Sequence, residues 1–521
     1  MGGHTASGIM ARTLSFGVSG VNGYPVHVEV FSISGIPAME IIGLPDTSVR
    51  ESKDRVNAAI INSGKNLLPF RYTVNLAPAD MKKEGPSFDL PIAVGIMLSI
   101  GEIVLNPLVD LDEIAFFGEL GLDGCVQPIN GALPMVISAK ENGITKVILP
   151  EKNAQEVSCI QGMTILPVSH LKQVIGFLEG TCSIEEQKQV DFETLKDHAA
   201  AGTDMALIKG QKGARRAIEV AAAGGHNMLM IGVPGSGKTM LARCIPGILP
   251  PMSFEEALET TRIHSIAGKL PPGSGLMVTR PFCAPHHNAS VASLIGGGQD
   301  AKPGEVSLSH NGVLFLDELP EFSRSALEAL RQPLEDGVVS VARVKRQAQY
   351  QSSFMLVAAM NPCPCGYYGS TVRSCRCTPP EIRRYLDRVS GPLLDRIDLQ
   401  IEVDSVPVSE INQAESSEPS AAVAARIRKA RDIQLGRYSG SGKHCNAQLS
   451  NTEVKQFCAL NDEAARLLNA AVEKLRLSMR AYQRILKVAR TVADLEGEDK
   501  ISSVHIAEAI QYRELDQKYW R

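Results

Sequence analysis

No stretch of this sequence approaches the roughly 18 consecutive apolar residues that cross a bilayer as a helix. None combines a positively charged start with a short apolar core in the manner of a secretory leader. The first absence argues against a helical membrane protein, and the second sets the expectation of a cytoplasmic one. Bulk charge is also scarce, because 53 Lys and Arg stand against 57 Asp and Glu, a formal net charge of −4. A whole-molecule field that draws in nucleic acid is thereby excluded, and any such contact must come from a local basic surface. What the chain does have is apolar material, 44% of 521 residues, enough for the cores of about three domains. Its eleven cysteines, expected in a reducing compartment, are read as free or metal-bound rather than cross-linked.

The stretch Gly232, Val233, Pro234, Gly235, Ser236, Gly237, Lys238, Thr239 satisfies the full G-x-x-x-x-G-K-[ST] phosphate-loop pattern. It follows a short apolar strand, Met228 to Ile231, and precedes a helix opening at Met240, the context the motif requires. Glycines at 232, 235 and 237 let the backbone N–H groups curl around phosphates. Lys238 is expected on the β and γ phosphates, and the Thr239 hydroxyl on Mg²⁺. Downstream, Gly312 to Leu316 is an apolar strand ending in Asp317 and Glu318. That Walker B pattern offers Asp317 to the Mg²⁺ shell and Glu318 to the attacking water.

The chain before this core alternates β-like and helical runs from Leu14 to about Phe177, which predicts a compact α/β domain. Two segments, Lys83-Glu84-Gly85-Pro86-Ser87 and Phe117 through Gly131 to Pro150, resemble the proteolytic domain of the Lon family. The resemblance makes Ser87 the counterpart of the nucleophile, but the position of its lysine base holds Leu133. A serine without a base is a poor nucleophile, so a Lon-like fold without the peptidase chemistry is expected. The predicted organisation is a flexible leader over 1–13, the Lon-like domain over 14–179 and a linker over 180–202. An ATPase core over 203–405 and a linker with a helical lid over 406–521 follow. The fold class is α/β, with a parallel-sheet nucleotide core and an α-helical C-terminal lid.

Ser253 to Glu256 has the spacing of a capping box, predicting a helix to about His264. The Gly- and Pro-rich insert Pro271 to Gly304 is too long for a connector and is read as a functional loop. Its His286 and His287 are left open between a metal or catalytic role and loop anchoring. The strand Phe354 to Ala359 ends near Asn361, where AAA+ ATPases, which this core resembles, place the sensor 1 residue. The segment Leu393-Leu394-Asp395-Arg396 is similar to that superfamily's arginine finger, which implies that Arg396 serves a neighbouring subunit's nucleotide.

The order of insert, Walker B, hairpin, sensor, finger and the helix opening at Leu477-Ser478-Met479-Arg480 resembles the magnesium-chelatase-like AAA+ branch. Joined to a Lon-like domain and to the segments Arg280 to His287 and Pro303 to Glu305, it is similar to the ComM/YifB family. The resemblance implies an ATP-driven hexameric DNA helicase promoting branch migration in natural transformation. It makes Arg480 the sensor 2 counterpart, with Arg484 as a second candidate, and leaves recombination proteins as possible partners. The motor subunit of a metal chelatase is the alternative, and an ATP-dependent protease a third that Leu133 weakens.

Cys363, Cys365, Cys375 and Cys377 place four thiols within one loop over 363–377. They match a Cys₄ zinc site in number, and reduced loop cysteines or a disulfide are the other readings. The hairpin Val339 to Gln347 is expected at the pore of the ring, its alternation putting Val339, Val341, Arg343 and Lys345 on one face with Arg346 beside them. Arg343, Lys345 and Arg346 are the DNA-contact candidates, with a basic helix face at Arg426, Arg428, Lys429 and Arg431 in reserve.

Overall fold

A computed structural model of the chain describes residues 8–197, 202–271, 273–297, 301–343, 346–370, 373–405, 418–475 and 477–520. The chain divides into two compact units, Met1–His198 with Phe254–Val278, and Ala199–Ser253 with Thr279–Arg521.

The first unit is built on a seven-stranded mixed sheet. In spatial order its strands are Ala38–Ile42, Phe70–Ala77, Asn22–Ser34, Ile9–Ser19, Ile114–Phe116, Lys146–Pro150 and Thr164–Val168. Val26, Val28 and Val30 alternate with His27 and Glu29, so one face of the long central strand enters the core at zero exposure. Asp46 caps the helix Thr47–Asn62, its carboxylate accepting the Val49 N–H at 2.8 Å. The helix Asp89–Ser99 is apolar nearly all round and runs buried through the unit. Asp89 at its start is fully buried and is held by Arg55 at 2.7 Å.

Phe254–Ile266 is the predicted helix, two residues longer than expected, and it belongs to this first unit. It is joined there through a buried carboxylate. Glu156 Oε1 accepts the Leu133 N–H at 3.1 Å and the Ser265 hydroxyl, while Oε2 accepts Asn153 Nδ2 at 3.1 Å. Two expected boundaries are corrected. A strand starts at Ile9 within the expected leader. The ATPase unit is not one continuous block, because it is interrupted at 254–278. Capping and periodicity define a helix, but they do not say which core it joins.

The second unit has a five-stranded, wholly parallel sheet in the order Phe282–Cys283, Val313–Leu316, Met355–Met360, Met228–Ile231 and Leu399–Glu402. The three central strands are completely buried, as near-continuous apolar runs in a two-sided parallel sheet should be. Register pairs Ile231 with Met360 and Leu316 with Ala358, so all three end at the same edge. Loops at the carboxyl edge of such a sheet are where ligands bind. Helices Ser420–Arg437, Met479–Glu496 and Ser503–Gln511 complete the predicted helical region, the second between a Ser478 cap and a left-handed Gly497. The expected linker lies outside the described residues over 406–417. Among the described residues, no helix is long and apolar enough to cross a membrane.

Candidate nucleotide site and cysteine cluster

Gly232 leaves the buried strand where the Val403 carbonyl oxygen lies 2.2 Å from the position a Cβ would take, so only glycine fits. Gly235 and Gly237 adopt φ of +79° and +92°, the left-handed region that lets the loop turn back on itself. The helix Lys238–Cys244 then begins. Lys238 is buried, and its ammonium donates to the Gly232 and Val233 carbonyls at 2.8 and 3.0 Å and to Asn361 Oδ1 at 3.3 Å. Burial lowers its pKa from the usual lysine value, against the opposing pull of Asp317.

The Thr239 hydroxyl donates to Asp317 Oδ2 at 2.9 Å. A hydroxyl and a carboxylate oxygen at one point form the hard donor set that Mg²⁺ takes. Lys238, Thr239, Asp317 and Asn361, read separately from the sequence, therefore meet at one sheet edge. Glu318 is half-exposed and sits at φ +53°, an uncommon backbone state for a non-glycine residue.

Sequence reasoning left His286 and His287 open. The structure puts His287 Nδ1 3.0 Å from Glu318 Oε2, with the two imidazole rings 4.1 Å apart. The histidines follow the strand Phe282–Cys283, which pairs directly with the Walker B strand. That strand adjacency was the missing signal, since nothing local to Pro285 or Asn288 points at residue 318.

Arg396 departs from expectation. It is buried in its own chain, donating to the Pro392 carbonyl at 2.6 Å and ion-paired with Glu335. Of the two sensor 2 candidates, Arg480 is mostly exposed, 3.7 Å from Asp395. Arg484 pairs with Asp398. Burial would raise the Asp398 pKa, but Arg484, His226 and Lys487 together hold it well below the usual carboxylate value.

The four cysteine sulfurs come together within 4.8 Å of one another. Sγ of Cys363 lies 3.4 Å from that of Cys365 and 3.7 Å from that of Cys375, which is 3.5 Å from Cys365, and Cys377 Sγ accepts the Cys365 N–H at 3.4 Å. A tetrahedron of zinc–sulfur bonds of about 2.3 Å sets its sulfurs about 3.8 Å apart, so the donor set fits Zn²⁺. The loop also leans on the nucleotide site. A Cβ on Gly366, at φ +85°, would fall 2.7 Å from the Pro234 ring and 3.9 Å from the Asn361 side chain.

The DNA candidates are less complete. Val338–Arg343 and Arg346–Gln351 form the expected antiparallel hairpin, with Arg343 opposite Arg346 in register. Lys345 lies outside the described residues, and Val339 and Val341 are buried. On the helix Ser420–Arg437, Arg426 is consumed by Glu418 and Glu219, and Arg431 donates to the Ala222 and His444 carbonyls. Arg428 and Lys429 remain exposed. In the first unit Ser87 is buried with no partner for its hydroxyl among the described residues, and Leu133 is fully buried. Lys83, also buried, is committed to the Pro78 and Met81 carbonyls.

Family models match three stretches: magnesium chelatase, subunit ChlI, over residues 204–411; subunit ChlI of Mg-chelatase over 28–153; and the ChlI C-terminal model over 417–513. The chain is 43% identical over 499 residues to the uncharacterized protein YifB of Escherichia coli, covering 96% of each. It is 43% identical over 498 residues to the competence protein ComM of Haemophilus influenzae, covering 95% of this chain and 96% of that one. Lon protease 2 of Bacillus subtilis is 31% identical over 150 residues, 28% of this chain and 26% of the protease. The magnesium chelatase model spans the whole nucleotide site and implies an ATPase using ATP and Mg²⁺. By near full-length similarity, with a Lon-like N-terminal region and a magnesium-chelatase-like AAA+ core, the chain belongs to the ComM/YifB family.

Proposed function

We propose that this protein is an ATP-driven DNA translocase that works as a hexameric ring in the cytoplasm and promotes branch migration during recombination of incoming DNA. The observation that carries the proposal is the joint placement of Lys238, Thr239, Asp317 and Asn361 at one sheet edge, with a hairpin inserted in the chain between Walker B and sensor strands. The name of the Haemophilus relative supports a competence role.

Lys238 and the glycine-loop N–H groups bind the β and γ phosphates, and Thr239 with Asp317 holds Mg²⁺, which when bound neutralises charge on the transferring group. Glu318 orients and deprotonates the attacking water, and Asn361 fixes its line of approach. Arg396 of a neighbouring subunit completes the site. The hairpin with Arg343, Lys345 and Arg346, repeated around the ring, supplies the local positive field that the net charge of −4 lacks. Zn²⁺ on the four cysteines ties down the loop that follows Asn361. ATP turnover measured with and without single-stranded or branched DNA tests the reading. Several-fold stimulation is expected, and equal rates favour a chelatase motor instead.

A further inference from the structure

The helix that follows the cysteine cluster borders a cleft that none of the roles above uses. Between Arg373 and Arg388 the sequence holds five arginines, no lysine and two acids. The helix Pro379–Leu386 starts directly after Cys377 and Thr378 and is fixed by a capping box between Thr378 and Glu381. Its Arg383 and Arg384, with Arg388 beyond its end, line a cleft of about 690 Å³ together with Arg324. All four guanidinium groups are on exposed residues.

Arg388 is engaged, donating to Glu321 at 2.8 Å and to the Pro320 carbonyl at 3.3 Å. Arg324, Arg383 and Arg384 make no hydrogen bond or ion pair with any described residue; Glu328 and Glu381 act on Arg324 and Arg384 only through longer-range charge. Four arginines line this hollow against two acids, Asp387 and the Glu321 that Arg388 engages, so the balance of charge in it is positive and favours an anion. The residue type narrows that anion, because a guanidinium pairs in bidentate fashion with phosphate, whereas lysine offers only a point charge. The floor narrows it further. Pro320, Phe322 and Pro380 offer prolines and a buried phenylalanine, not the glycine-rich N–H cradle that a free polyphosphate needs.

We propose that this cleft binds the phosphodiester backbone of a nucleic acid strand. Arg383 and Arg384 contact successive phosphates, and Arg324 contacts them from a different element. The assignment rests on the reading of the chain as a DNA motor, and it adds a contact separate from the hairpin. It also places that contact beside the chemistry, since the lining segment Pro320–Phe322 follows Asp317 and Glu318 in the chain after Leu319.

The test is anisotropy of a fluorescent oligo(dT) strand with the full-length protein and a non-hydrolysable ATP analogue, over a salt series. Arg383→Ala with Arg384→Ala is expected to bind about tenfold more weakly near 0.1 M salt, with a log–log salt slope shallower by about 1.4 units, the share of two phosphate contacts on a single strand. Arg324→Glu, which changes the cleft from a different element, should lower affinity in the same direction, and basal ATP turnover should be unchanged in both. Wild-type affinity and slope in both variants overturn the cleft while leaving the DNA motor standing. A wild-type protein that hydrolyses ATP but does not bind oligo(dT) overturns both.

Discussion

At the scale of single residues, Glu318 is the point where sequence and structure differ most usefully. Its place after Asp317 was legible, because hydrolysis needs two carboxylates at the end of one strand. Its left-handed backbone and its contact with His287 were not, because they arise from two strands pairing across the sheet. Held at 3.0 Å, the imidazole fixes which way the carboxylate faces. On the proposed mechanism, which makes Glu318 the base and gives nucleotide affinity to Lys238 and the loop, His287→Ala should lower kcat for ATP about tenfold with little change in KM, because a base's efficiency depends on its orientation. His287→Asn, which retains a donor, should recover part of the loss. Steady-state ATPase kinetics on the two variants separate this from a folding defect, which lowers the active fraction alike in both. Arg396 teaches the opposite lesson. The motif predicted the residue type, but not that Glu335 would hold the side chain inside its own chain.

At the scale of elements, the strands and helices around the phosphate loop were read within a residue or two, because buried parallel strands and capped helices carry strong local patterns. The allegiance of Phe254–Ile266 was hidden, since it rests on contacts with residues far away in sequence, Glu156 among them. Glu156 is almost wholly buried, and burial raises its pKa despite hydrogen bonds from Ser265, Asn153 and Leu133. The folded state therefore holds its proton to higher pH than the unfolded state does. Stability from this group is fullest below the unfolded pKa and falls as pH rises toward the folded one. Glu156→Gln should flatten that fall in a series of thermal melts. Glu156→Ala should cost about 2 kcal/mol, by leaving the Leu133 N–H and the Ser265 hydroxyl without an acceptor.

At the scale of the whole molecule, the proposed ring makes a demand that no single chain meets. Arg396 must exchange Glu335 for a neighbour's phosphate, so hydrolysis becomes a property of interfaces. Mixing Glu318→Gln subunits with Arg396→Ala subunits should restore part of the ATPase activity that each loses alone, because some interfaces then carry both intact groups. Rates measured across mixing ratios check this, and normal turnover by pure Arg396→Ala protein would remove the residue from the reaction.

The break in the second unit at 254–278 reaches beyond catalysis, into the order in which the chain leaves the ribosome. The first unit lacks Ser265 and its helix until Ile266 has emerged, and its last segment until Val278, by which time the phosphate-loop strand Met228–Ile231 is already made. That strand in turn waits for its sheet neighbours, Met355–Met360 and Leu399–Glu402. Domains that follow one another in sequence can fold in turn during synthesis, but here the first must wait for a piece threaded through the second. A nascent chain halted before Phe254 would present Glu156 without its serine, and both units would still be incomplete when the nucleotide loop first met the cell.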